Sequence, residues 1–239
     1  MSIERKNNVT IVTGYWPVPN KYKHYDYCKW FENSLKINQR MYFFGDSLTK
    51  DTILSCRKEL ETIFVEHPIS NFYSGNFYSR FWIHPYHLPT TDLGKIWQEK
   101  MNLIKLAKDM DGDNATEFYV WYDAAALIFR NEPPPCIRFN LKDVNSLPHD
   151  KIIYSDPYPF DPKYSYATTI HIIPKGLIND IHTLYYRHLK KFASSNPKEW
   201  QYANDQLIFT ELVKKYPLLF YKIATGYGEN IIQLYKIYV

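Results

Sequence analysis

Cysteine is scarce in this chain, no apolar run approaches membrane-spanning length, and the short motifs of the common cofactor folds are missing. Cys28, Cys56 and Cys136 lie far apart, with neither CxxC spacing nor a paired framework. That argues against a zinc site and for a reducing compartment. No GxGxxG turn or Walker loop occurs, so the dinucleotide and P-loop classes drop out. HExxH is absent too, and without a GxSxG elbow a serine hydrolase is not expected. The first residues carry no apolar signal core, so the chain reads as soluble and cytoplasmic. Basic residues are scattered and the net charge is only +4. Lys190-Lys191 and Lys214-Lys215 read as solvated helix faces, and no nucleic-acid stripe forms.

What is present is globular. The 239 residues are 45% hydrophobic and 23% charged, which suits one domain over 1–239 with a sizeable core. Aromatic residues reach 18%, with 22 Tyr, 14 Phe and 6 Trp. Their planes and polar edges suit sugar and base stacking as well as core packing. Abundant Lys, Asn and Ile accompany them, so composition alone names no ligand.

Strand and helix patterns alternate through the first half, which favours a mainly parallel sheet covered on both faces. Strands are expected at 8–13, 40–44, 62–66, 116–123, 151–154 and 166–173, with two more near 218–224 and 230–238. Apolar positions Tyr27, Trp30, Phe31 and Leu35 predict a helix over 25–37. Ser47 or Thr49 is placed to cap a short helix ending at Arg57. Thr90 or Thr91 caps the clearest helix, whose apolar face is Leu93, Ile96, Trp97, Met101, Ile104 and Ala107. Later helices are expected after Gly176 and over 203–215.

The stretch 116–126 concentrates the chemistry. It is an apolar, aromatic strand that ends in one carboxylate, Asp123, followed by Ala124, Ala125 and Ala126. Ligands of open α/β sheets gather at the carboxyl ends of the strands, and a carboxylate there can hold a hard cation through oxygen. The alternative is a helix N-cap, which Asp also favours. Asp205, in Asn-Asp-Gln at a helix start, has the same two readings: a cap or dipole partner, or a group that accepts the proton of an attacking hydroxyl. Gly14, after the first strand, lets a ligand approach the backbone or simply ends the strand, and the aromatic residues beside it can stack on a base. Arg130 is suited to a diphosphate, whereas Lys100 and Asn102 read as solvated helix positions. Asp111 and Asp113 form an Asp-x-Asp pair at the opposite end of the strand from Asp123, where a helix-ending turn is the better reading. His84 and His87 share an aromatic, proline-flanked loop. Gly226-Tyr-Gly-Glu229 reads as a hairpin turn or as a loop reaching the site.

In order, these segments resemble the HtrL/YibB-like family of glycosyltransferases. The pieces are Val12-Thr-Gly-Tyr-Trp16, Tyr27-Cys-Lys-Trp-Phe-Glu-Asn-Ser-Leu35, Tyr42-Phe-Phe-Gly-Asp46, His84-Pro85 and Ile96-Trp-Gln-Glu-Lys100. They continue with Phe118-Tyr-Val-Trp-Tyr-Asp-Ala124, Arg130 and Tyr202-Ala-Asn-Asp-Gln206. The resemblance implies a GT-A-like (Rossmann-like) α/β fold with a mainly parallel central sheet flanked by helices. It implies a nucleotide-sugar donor, a glycan or other hydroxyl acceptor, and Mn²⁺ or Mg²⁺ held by Asp123. Asp205 and Asp123 become the catalytic carboxylates. Thr13, Gly14, Tyr15, Lys100, Arg130, Ala124 and Gln206 become donor-site candidates. The family's Trp-x-Asp-Ala-Gly is here Trp121-Tyr-Asp-Ala-Ala125, with a methyl in place of the glycine. A second Asp is also missing, so further metal ligands would come from Asp205 or Glu229. Two rival functions remain: a carbohydrate- or nucleotide-binding module without catalysis, and a nucleotide-sugar hydrolase.

Overall fold

The computed structural model describes residues 8–77, 87–195 and 204–235. His84, Pro85, Tyr202, Ala203 and the end of the expected last strand lie outside them. Seven strands form one sheet in the order β3-β2-β1-β4-β6-β5-β7. They are β1 (Val9–Tyr15), β2 (Arg40–Gly45), β3 (Thr62–Glu66), β4 (Phe118–Tyr122), β5 (Ile152–Asp156), β6 (Ile170–Pro174) and β7 (Phe220–Thr225). β1 pairs in parallel with β2 and β4, β2 with β3, and β5 with β7. β6 runs antiparallel to both β4 and β5. The sheet is therefore mixed and mainly parallel, as expected.

The chain builds β1, β2 and β3 outward in one direction and then returns to lay β4 on the other side of β1. Ligand crevices of open sheets form at such a reversal, beyond the carboxyl ends of the strands. Here those ends are Tyr15 and Tyr122, so the residues after them, including Asp123, stand at the crevice.

Side chains alternate across the sheet. Ile11, Met41, Phe43, Val120 and Tyr122 face one layer of the core, with Phe31 of α1 (His24–Ser34) and Ile53 of α2 (Lys50–Arg57). Val12, Tyr42, Phe44, Tyr119 and Trp121 face the other layer. That layer also takes Met101 and Ile104 of α3 (Thr91–Asp111), Tyr185 of α5 (Ile178–Ser195) and Phe209 of α6 (Asp205–Lys215). A short helix, α4 (Leu141–Asn145), adds Val144 to the first layer.

The expected caps and ends hold in part. Thr90 caps α3 by accepting the Leu93 N–H, and Gly112, at φ 53°, ends it. Asp46, not Ser47 or Thr49, accepts the Leu48 N–H and starts the 3-10 turn that leads into α2. The second terminal strand is not formed among the described residues. Ile232–Tyr235 is a 3-10 turn, with Leu234 and Tyr235 buried in the first layer.

Two buried charged groups fix the end of the sheet remote from the crevice. Asp111 accepts a two-pronged bond from Arg40 at 2.6 and 2.8 Å, together with the hydroxyls of Tyr42 and Tyr119. It thus clamps α3 to the starts of β2 and β4, while Asp113 lies exposed in the following turn. Arg57 donates to the carbonyls of Leu35, Ile37, Gln39 and Glu61 and to Thr62 Oγ1. No helix among the described residues is long and apolar enough to cross a membrane.

Candidate active site

Asp123 shares its sheet face with Trp121, two residues earlier, and Trp121 faces α3. The Trp121 indole donates to Asp123 Oδ1 at 2.7 Å and so fixes the carboxylate. No helix follows: the Ala126 N–H bonds to Asp123 O, and a 3-10 turn, Leu127–Phe129, comes next. The cap reading of Asp123 is therefore corrected. The three alanines are buried against the α1 side, where Ser34 donates to the Ala124 carbonyl.

Asp205 is also not a cap. Asn204 is the N-cap of α6, accepting the Gln206 N–H at 2.8 Å, and its amide donates to Tyr164 at 2.7 Å. Asp205 is the first helical residue, where the N-terminal dipole favours a negative charge.

Lys100 joins the two carboxylates. Its Nζ stands 3.2 Å from Asp123 Oδ1 and 2.9 Å from Asp205 Oδ2, and it donates to Thr168 O at 2.9 Å. Lys100 is buried, against the expectation of a solvated helix position. Burial pushes its ammonium toward the neutral form, but Asp123 and then Asp205 outweigh it and hold the pKa above the ordinary lysine value. Burial raises the Asp205 carboxyl, and Lys100 offsets that only in part. Asp123 is the open partner, its side chain 35% exposed against 6% for Asp205.

Arg130 completes the polar set. Its Nε donates to Ala125 O at 2.8 Å, and its guanidinium lies 3.9 Å over the Trp30 ring and 5.2 Å from that of Tyr22. Such stacking suits Arg, and the guanidinium also hydrogen-bonds the Tyr22 side chain.

These groups line a cleft of about 470 Å³ shared by Lys21, Tyr27, Lys100, Asp123, Arg130 and Asp205. His87, Tyr164, Gln206 and Tyr227 add to its walls. A narrower recess of about 130 Å³ continues from it past Gly14, Tyr15, Ala124 and Ala125. Together they fall in the size range of small-ligand sites. A groove of equal volume between α5 and α6 is bordered by exposed Lys191, Lys214 and Lys215 and by His188, next to residues outside the description. The chemistry favours the first cleft, which alone of the two contains the buried ion pairs described above.

Other expected residues fare differently. Thr13 is sealed inside the sheet and borders neither space, and its Oγ1 is unpaired. A Cβ on Gly14 would meet the Trp16 ring at 2.6 Å and Phe44 O at 3.0 Å, so the glycine accommodates Trp16 while its backbone lines the narrower recess. Trp16 itself is buried and donates to His67 O, while Tyr15 bonds to His24 at 2.7 Å. Both border the narrower recess. Asn102 bonds Glu99, away from the cleft. His171, which the sequence did not single out, lies behind Lys100; burial, then Lys100, holds its pKa well below the usual histidine value.

A divalent ion needs several oxygen ligands, at about 2.0–2.6 Å for Mg²⁺ or Ca²⁺. Among the described residues no group of three His, Cys, Asp or Glu converges to hold one. Glu229 does not join the pair: its carboxylate packs against Gly226. The space between Asp123 and Asp205 is filled by the Lys100 ammonium. With Lys100 there, the donor set does not fit the expected Mn²⁺ or Mg²⁺.

No family model matches the chain, and no curated protein matches it. Among solved structures, the chain is similar to core-mannan synthase A (CmsA/Ktr4) from Aspergillus fumigatus in its Mn/GDP form. The likeness has a TM-score of 0.50 at 8% identity and covers 89% of this chain and 71% of that one. The fold is GT-A-like. Weaker likenesses, on which nothing rests, are to the PaToxG glycosyltransferase (TM-score 0.47, 12% identity, 87% and 68% covered) and to an active-site mutant of LgtC (0.43, 8%, 95% and 70%).

Proposed function

We propose that the protein is a glycosyltransferase that moves a sugar from a nucleoside-diphosphate donor to a hydroxyl acceptor. The observation that carries this reading is the convergence of Asp123, Lys100 and Asp205, from three separate elements, in a cleft at the switch point of a GT-A-like sheet. The ordered segments that resemble the HtrL/YibB-like family support it, as does the nucleoside diphosphate named for the CmsA structure.

In this reading the diphosphate lies against Arg130 and Lys21, and the sugar faces the carboxylate–ammonium set. The acceptor hydroxyl oxygen bonds to the anomeric carbon while the carbon–oxygen bond to the diphosphate breaks. The leaving nucleoside diphosphate takes the electron pair. Asp123, the open carboxylate, orients the acceptor hydroxyl and takes its proton. Asp205 is a positioning residue: it is sealed and holds Lys100. No step is routed through a metal.

A panel of UDP- and GDP-sugars tests the reading by nucleotide release, with and without glycan acceptors, in Mn²⁺ and in EDTA. Acceptor-dependent release supports transfer, whereas equal release in water alone identifies a hydrolase. Sugar binding that survives Asp123→Ala in a chain without turnover identifies a binding module. No release from any donor, with no thermal shift by nucleotides, removes the proposal.

A further inference from the structure

We infer that Lys100 is the built-in cation of the Asp123–Asp205 pair, so that nucleoside diphosphates bind this chain without a divalent metal. The inference rests on the donor-site reading above and deepens it.

Three oxygens surround the ammonium: Asp123 Oδ1, Asp205 Oδ2 and Thr168 O, all within 3.2 Å. An ion bound between those carboxylates would occupy the volume Nζ now fills. The lysine cannot step aside cheaply. It is buried on α3 with its ammonium 5.6 Å from the Trp121 ring centroid, and an ammonium separated from its carboxylates would be buried without compensation. The chain also withholds replacement ligands. Two residues after Asp123 stands the buried methyl of Ala125; Asp161 and His87 line the same cleft, but among the described residues no three such groups come together to hold an ion. Positive charge for a diphosphate comes instead from Arg130 and Lys21, which line the same cleft. Guanidinium pairs with phosphate oxygens in a fork without the ligand geometry a metal demands.

The test uses the wild-type chain, stripped of metal, with UDP and GDP as probes. Calorimetric affinities are measured in EDTA and in excess MnCl₂, and the electron-spin-resonance signal of Mn²⁺ is followed on adding protein alone. The expected result is a change in nucleotide affinity of less than about tenfold between the two buffers, with the free-Mn²⁺ signal undiminished. Lys100→Ala should then take up one Mn²⁺ per chain, because the two carboxylates lose their resident cation. Nucleotide binding weakened tenfold or more by EDTA, or stoichiometric Mn²⁺ uptake by the wild type, would overturn the inference and leave the glycosyltransferase reading standing. Failure of both nucleotides to bind in either buffer removes the donor site itself, and the inference with it. The wild-type measurements decide the matter even if Lys100→Ala does not fold.

Discussion

Lys100 Nζ lies 2.9 Å from Asp205 Oδ2, which ties the middle of α3 to the first residue of α6 across the floor of the cleft. The same ammonium reaches Asp123 at the end of β4. One side chain thus sets the spacing of both carboxylates, but only one of them is open. That asymmetry separates chemistry from positioning and gives the first prediction.

Asp123→Asn should lower turnover by about 10²–10³-fold, as expected when a general base is lost, and should also cost stability because the buried Lys100 ammonium loses one of its two carboxylates. Asp205→Asn should cost stability on the same ground, about 1–3 kcal/mol, but lower turnover much less than Asp123→Asn, because it holds Lys100 without facing the acceptor. Thermal unfolding and nucleotide release on the two variants check this. A reversed pattern would assign the chemical role to Asp205.

Much of the fold was legible because the strands are continuous runs of β-branched and aromatic residues, and because Thr90 and Gly112 punctuate α3. Lys100 reads in isolation as a solvated helix position and by resemblance as a donor-site candidate, and a signal for its burial exists. It stands three residues after Trp97 and four before Ile104, in the centre of the apolar stripe, where a solvated lysine has no place. Its partners come from Asp123 and Asp205, each over twenty residues away in sequence, so no local pattern could pair them. The described part of the expected last strand, 230–235, departs for the opposite reason. Its apolar residues serve the core from a turn, since Leu234 accepts the Asn140 N–H and buries beside Phe139. Thr13 matches a ligand-binding pattern but is sealed inside the sheet, whereas Gly14 both makes room for Trp16 and borders the recess.

The clamp at the opposite end predicts an acid limb in stability. Burial would raise the Asp111 carboxyl, but bonds from Arg40, Tyr119 and Tyr42 outweigh it and hold the pKa below the ordinary 3.8. A lowered folded-state pKa contributes stability that is present above the unfolded value and lost as pH falls through the folded value. Asp111→Asn should therefore cost about 2–3 kcal/mol at neutral pH, with the gap to wild type closing below pH 3.8. Urea unfolding of both chains from pH 7 to pH 3 reads this directly. A gap that is constant across the range would refute the ionic role of Asp111.

Lys100 and Asp205 carry the opposite sign. Both have raised folded-state pKa values, so the stability each contributes is present below its unfolded value, 10.5 or 3.8, and lost as pH rises through the folded value. The Lys100 contribution is therefore intact at neutral pH and is lost only in alkali. Wild-type stability should fall above pH 10.5 more steeply than that of Lys100→Met. Parallel alkaline limbs would show that Lys100 is not held charged by the pair.

Arg57 is the test of the buried polar frame that supports β2. Its guanidinium serves four carbonyls and one hydroxyl while almost fully buried, at 1% exposure. Arg57→Met should cost about 3 kcal/mol or more, since several buried acceptors lose their donor at once. Arg57→Lys should recover little, because three rotatable donors cannot reproduce a planar fork reaching five acceptors. Chemical denaturation of the two variants gives the measurement, and full recovery by lysine would contradict the fork argument.

Arg130 probes the donor side of the cleft, since stacking on Trp30 and the bond to Ala125 O hold its guanidinium in place. Arg130→Ala should weaken UDP or GDP binding by about 10–100-fold, the loss of a charge-assisted fork. Arg130→Lys should restore charge without restoring the stack on Trp30 and Tyr22, and so should recover less than half of the lost binding free energy. Trp30→Ala should mimic part of the defect by releasing the guanidinium, although Trp30 itself is not among the cleft-lining residues. Calorimetry with each nucleotide distinguishes the cases. If Arg130→Ala binds as tightly as wild type, the diphosphate does not lie against this arginine, and the orientation of the donor in the cleft must be reversed.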